Sequence, residues 1–118
     1  MSLMARPRIL VTGFGAFPGV AVNPTAALVR SLPRRLMGLK VHRRVLPVSW
    51  ERGPEHLRRA VDKVVPHLVL ILGVADQEIV GRLERHARNR LDGRPDVDGA
   101  LLLPGPIALR KAIETELS

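Results

Sequence analysis

The order of periodic segments between residues 8 and 73 predicts an α/β protein with a mostly parallel sheet and flanking helices. Two short apolar runs, Arg8-Ile9-Leu10-Val11-Thr12 and His67-Leu68-Val69-Leu70-Ile71-Leu72-Gly73, read as buried strands. Between them lies a stripe of Leu57, Ala60, Val61, Val64 and Val65 at the three- and four-residue spacings of a helix that buries one side. Strand, helix, strand, helix, strand is the resulting order.

The first strand leads into a loop holding Gly13, Gly15, Pro18 and Gly19, with the only two phenylalanines of the chain, Phe14 and Phe17. Asn23-Pro24-Thr25 then reads as a helix start, Asn23 as N-cap and Pro24 at the first helical position. That helix runs to Leu32 and stops before Pro33, because proline disfavours helix in the residue preceding it. Residues 39–48 read as the second strand. Ser49 reads as an ordinary cap on the helix that Pro66 closes. Residues 67–73 should form a central parallel strand, so the strands near 8–12 and 67–72 are both expected in the interior of one sheet that also contains 40–46. Residues 82–91 fit a strand or a helix equally well. Asp92-Gly93-Arg94-Pro95-Asp96 is turn chemistry, and residues 107–117 read as a short amphipathic helix.

Composition narrows the function. At 118 residues the chain is expected to form one domain, with residues 1–5 a vector-derived or disordered start. It contains no cysteine, which excludes disulfides and thiol chemistry for these residues. No apolar run approaches the roughly 20 residues of a membrane span, and a cytoplasmic setting is the expectation. Nineteen lysines and arginines against eleven acids give a net charge of +8. Three aromatic side chains and no recognised motif leave nucleic acid an unexpected partner. No serine stands in a G-x-S-x-G elbow, the four histidines lack metal-ligand spacing, and neither a metal nor a cofactor is expected.

The loop after the first strand admits several readings. It can be a glycine-rich turn whose rings cap the core. Gly13 and Gly15 begin a dinucleotide fingerprint, but Pro18 occupies the third glycine position and no acid follows the second strand. It can also present both rings at the carboxyl end of a strand, where open α/β sheets place ligands.

Thr12-Gly13-Phe14 with Phe17, Gly19 and Asn23-Pro24-Thr25 resembles the opening motif of the pyroglutamyl peptidase I family, the pyrrolidone-carboxylate peptidases. Val45-Leu46-Pro47-Val48, Pro66-His67 with Gly73-Val74-Ala75, Glu84-Arg85, and Arg94-Pro95-Asp96 match later motifs in order. The resemblance implies an incomplete three-layer α/β/α fold of the phosphorylase/hydrolase kind. It also implies cleavage of N-terminal pyroglutamyl residues from peptides by a Cys–His–Glu triad. Glu84 would orient the imidazole, and Arg94 would stabilise the oxyanion. Phe14 and Phe17 would form a slot for the flat lactam, with Asn23 bracing the loop. The family's nucleophilic cysteine and catalytic histidine belong to a C-terminal portion expected to be absent here. Two alternatives stand beside peptidase-like function: a non-catalytic binder of a lactam or acidic ligand, and a nucleotide-binding module with Arg43 or Arg44 as counter-charge. The expected partners are pyroglutamyl peptides or a small lactam, with homo-oligomerisation left open.

Overall fold

The computed structural model describes residues 6–74, 84 and 96–100. Four strands and two helices follow one another as β1 (Arg8–Phe14), α1 (Pro24–Ser31), β2 (Arg35–Leu36), β3 (Leu39–Leu46), α2 (Arg52–Val64) and β4 (Leu68–Ile71). The sheet order is β2-β3-β1-β4. β1 pairs in parallel with β3, from Arg8 opposite Lys40 to Phe14 opposite Leu46, and with β4, from Ile9 opposite Leu68 to Thr12 opposite Ile71. The expected α/β architecture is therefore present, with parallel strands joined through helices.

β1 is interior because it is apolar on both faces. Its alternate residues Ile9 and Val11 pack with Val29 of α1 and Val41 of β3, while Leu10 and Thr12 are completely buried. α2 contacts β1 and β3 and buries Ala60 and Val64. The described residues give β4 one neighbour, β1, and do not test its expected central position. Its Leu68 and Ile71 are 58% and 50% exposed. An apolar run specifies that a strand seeks cover, but it does not specify the neighbour that provides it.

Helix ends follow their sequence signals closely at α1. Asn23 Oδ1 accepts the Thr25 amide at 3.0 Å, and Leu32 leaves the helix in an extended conformation ahead of Pro33. At α2 the stripe breaks one residue early. Val65 is the C-cap, left-handed at φ 49° and 62% exposed, instead of a buried stripe member. A β-branched residue is costly in that conformation, and here it is held by Arg8. The Arg8 guanidinium donates to the Val65 carbonyl from Nε and Nη2 at 3.1 and 2.9 Å, and Nε also reaches the Val64 carbonyl at 3.1 Å. A cation on the orphan carbonyls of a helix C-terminus opposes the negative end of its dipole.

β2 has no clear sequence signal. It is formed by a two-residue turn at Met37 and Gly38, both at positive φ, which matches the twist of a hairpin.

Candidate ligand site at the carboxyl ends of the strands

From β1 the chain crosses to β3 on one side and then returns past β1 to β4 on the other. β1 is therefore where the winding reverses, and the loop leaving its carboxyl end lies where such sheets form a ligand crevice. That loop carries Phe14 and Phe17, both half-buried.

Several independent contacts stiffen it. The Gly15 amide donates to the Leu46 carbonyl at 2.9 Å, tying the loop to the end of β3. Phe17 and Val20 exchange backbone hydrogen bonds of 3.0 and 2.8 Å around Pro18-Gly19. Gly19 has φ 90°, so proline followed by a positive-φ glycine closes this turn as a type II turn requires. Asn23 is buried, accepts from the Thr25 hydroxyl at 2.7 Å, and donates from Nδ2 to the Gly15 carbonyl at 3.0 Å. The same Thr25 hydroxyl accepts the Phe14 amide at 2.9 Å. One side-chain amide and one hydroxyl thus fix the backbone on which both rings are mounted.

Gly13 makes this geometry possible. A Cβ there would lie 2.6 Å from the Thr25 carbonyl oxygen and 3.0 Å from Val29 Cγ2. Only a glycine lets the strand end approach the first turn of α1 so closely.

A second set of contacts joins the β3–α2 connection to residues 96–100. Ser49 Oγ accepts the Arg52 amide at 2.9 Å, which satisfies an orphan donor at the start of α2, although the N-cap position itself falls at Glu51 rather than at Ser49. The same hydroxyl donates to Asp98 Oδ2 at 2.6 Å. Arg52 binds Asp98 through Nε and Nη2 at 3.0 and 2.8 Å. Asp96 is buried and accepts three backbone amides: Trp50 at 2.8 Å, and Asp98 and Ala100 at 2.9 Å each. The Trp50 amide, foremost, holds the Asp96 carboxyl below its ordinary pKa. Arg52, and after it Ser49, does the same for Asp98. None of these residues was singled out as functional from sequence. Asp96 stands in the sequence as the end of a turn and in the Arg94-Pro95-Asp96 match, but one of its three partners, Trp50, lies 46 residues earlier.

The structure brings Phe14, Phe17 and Asn23 together on one loop. Glu84 is exposed, and Arg94 lies outside the described residues. Residues 1–5, 82–91, 92–96 and 107–117, where a vector-derived or disordered start, a strand or helix, a turn and a tail helix are expected, also lie largely or wholly outside them. Among the described residues there is no group of three or more His, Asp or Glu side chains able to hold a metal, and no helix long and apolar enough to cross a membrane.

A mostly parallel sheet, with one antiparallel edge strand and a braced aromatic loop at its switch point, defines an α/β protein. The pyroglutamyl peptidase family profile matches residues 7–114, and the chain belongs to that family. It is 38% identical over 94 residues to a pyrrolidone-carboxylate peptidase of Thermococcus litoralis, covering 78% of this chain and 43% of the relative. A Brevibacillus brevis pyrrolidone-carboxylate peptidase is 39% identical over 101 residues, covering 84% and 47%. The crystal structure of pyrrolidone carboxyl peptidase from Thermus thermophilus superposes with a TM-score of 0.77 at 42% identity, covering 85% of this chain and 52% of that one. The Pyrococcus furiosus structure gives a TM-score of 0.80 at 31% identity, covering 86% and 50%. The chain spans about half the length of the curated relatives it matches.

Proposed function

We propose that this chain supplies the recognition part of a pyroglutamyl peptidase: a slot between Phe14 and Phe17 for the flat lactam ring of an N-terminal pyroglutamyl residue. The observation that carries this reading is the bracing of both rings by Asn23, Thr25 and Gly15 at the sheet's switch point. Rings held on a fixed backbone bind a planar ligand without the entropy cost of ordering a loop.

Within the family's mechanism, Glu84 is the acid that orients the imidazole and Arg94 the cation that stabilises the oxyanion. Both assignments rest on the matching motifs Glu84-Arg85 and Arg94-Pro95-Asp96, inside the region the family profile covers. The clamp of Asp96 on Trp50 anchors the backbone two residues beyond Arg94, so it would limit where that cation can go. Hydrolysis through a thiol ester also needs a cysteine, and these 118 residues contain none. Recognition is therefore the share of the reaction this chain performs by itself.

A fluorogenic pyroglutamyl amide tests this division. The purified 118-residue chain should bind the compound saturably and leave it uncleaved, with or without a thiol reductant. Turnover that tracks the chain and survives iodoacetamide would contradict the assigned chemistry, and absence of binding would contradict the slot.

A further inference from the structure

A cavity of about 440 Å³ opens on the β2–β3 hairpin, with Arg34, Arg35, Lys40, His42 and Arg44 on its wall. The rest of its lining is Val41 and Arg43, so it contains no carboxylate and no Phe, Trp or Tyr ring. The fold builds it directly. β3 alternates, placing Lys40, His42 and Arg44 on one face, and the hairpin register sets Arg35 opposite Lys40. Like charges directly opposite each other destabilise a strand pair. The ion pairs of Arg52, Arg58 and Arg59 lie elsewhere and do not relieve this one.

Arg43 is engaged in the structure. Its Nη1 donates to the carbonyls of Arg30 and Leu32 at 2.9 and 2.7 Å, closing the end of α1. Arg44 Nη1 likewise donates to the Arg43 carbonyl at 2.7 Å, so Arg34, Arg35 and Lys40 remain, with the other donors of Arg44, as the permanent cations around the cavity. His42 adds a buried Nε2 without a hydrogen-bond partner among the described residues. Burial lowers the His42 pKa most, with the charges of Lys40, Arg44 and Arg8 acting in the same direction, as expected where the local field is positive.

We propose that this cavity binds a linear oligophosphate, with the arginine forks and Lys40 holding the phosphate oxygens. Guanidinium groups suit phosphate because they offer paired donors in a fixed fork. A single phosphate would leave most of the positive charge uncompensated, whereas a triphosphate chain carries about as many charges as there are cations. Without a large aromatic side chain for a base to stack on, the phosphates are what the site reads. The free oligophosphate and the triphosphate of a nucleotide present the same chemistry. This site lies on the hairpin and is independent of the peptidase reading.

Calorimetric titration of the 118-residue chain in metal-free, low-salt buffer tests it, using tripolyphosphate, ATP, GTP, AMP and inorganic phosphate. Tripolyphosphate, ATP and GTP should bind with similar affinity, and AMP and phosphate about tenfold or more weakly. Each of Arg35→Gln and Lys40→Gln, both at exposed positions, should weaken tripolyphosphate about tenfold, with unchanged or raised thermal stability. Arg58→Gln with Arg59→Gln, on α2, should leave binding within about twofold. Equal losses in the α2 variant would show mere response to net charge and overturn the site. So would no saturable tripolyphosphate binding, or ATP preferred about tenfold over tripolyphosphate. Single-stranded DNA binding that resists displacement by tripolyphosphate would also overturn it, in favour of a nucleic-acid surface.

Discussion

Ser49 and Asp98, 49 residues apart in sequence, share a hydrogen bond of 2.6 Å. That single contact joins the start of α2 to the segment following Arg94. It is one strand of a clamp in which Asp96 takes three backbone amides, so the clamp depends on two ionised carboxylates.

The clamp should therefore fail in acid. Both carboxyls have folded-state pKa values below their ordinary 3.8, so their stabilisation is complete above that value. It is lost as pH falls through the lowered folded values. Protection of the Trp50 and Ala100 amides, taken relative to their intrinsic exchange rates, should be high at about pH 5 and fall below about pH 4. Asp96→Asn should lower that protection at about pH 5. Protection unchanged in that variant would show that the carboxylate does not hold the loop.

Gly13→Ala should destabilise the protein by about 1–3 kcal/mol, because the added methyl meets backbone and cannot be relieved by a rotamer change. The clash is with the Thr25 carbonyl oxygen at 2.6 Å. Chemical denaturation measures the loss. The aromatic loop should shift with it, since Thr25 also holds the Phe14 amide.

Thr12→Val should cost little stability or increase it slightly. The Thr12 hydroxyl is completely buried and has no hydrogen-bond partner among the described residues. Replacing an unsatisfied buried hydroxyl by a methyl of similar shape removes a desolvation penalty of about 1–3 kcal/mol. A loss above about 1 kcal/mol would reveal a partner for that hydroxyl.

His42 should make the fold less stable below neutrality. Its folded-state pKa is lowered from 6.5, chiefly by burial, so the unfolded chain binds more protons just below that value. Stability is then greatest above 6.5 and declines as pH falls toward the folded value, and His42→Gln should flatten this dependence. A His42 imidazole titrating at or above 6.5 by NMR would refute the sign.

The parts of this structure that could be read from sequence are those governed by local chemistry. Asn23 and Pro24 marked a helix start, Pro33 its stop, and the β-branched run at 9–12 a buried strand, because each signal acts through its own backbone. Chain order also carried the family resemblance. Contacts across long separations were not legible. Asp96 looked like the end of a turn because Trp50 was nowhere near it in sequence. Val65 continued a helical stripe on paper, yet its backbone is turned left-handed by the C-cap and held there by Arg8. β4 reads as a buried strand from hydropathy alone, but hydropathy does not name its neighbour, which among the described residues is β1.

Recognition of a pyroglutamyl ring between Phe14 and Phe17 is the claim on which the functional account stands. The most direct measurement is an NMR titration of the 118-residue chain with a pyroglutamyl dipeptide and with the matching prolyl dipeptide, which lacks the lactam carbonyl. The account predicts saturable shifts of the Phe14 and Phe17 ring protons and the Gly15 amide with the pyroglutamyl compound. The prolyl compound should bind about tenfold more weakly. Equal responses to the two dipeptides, or shifts that leave both phenylalanines unmoved, would contradict it.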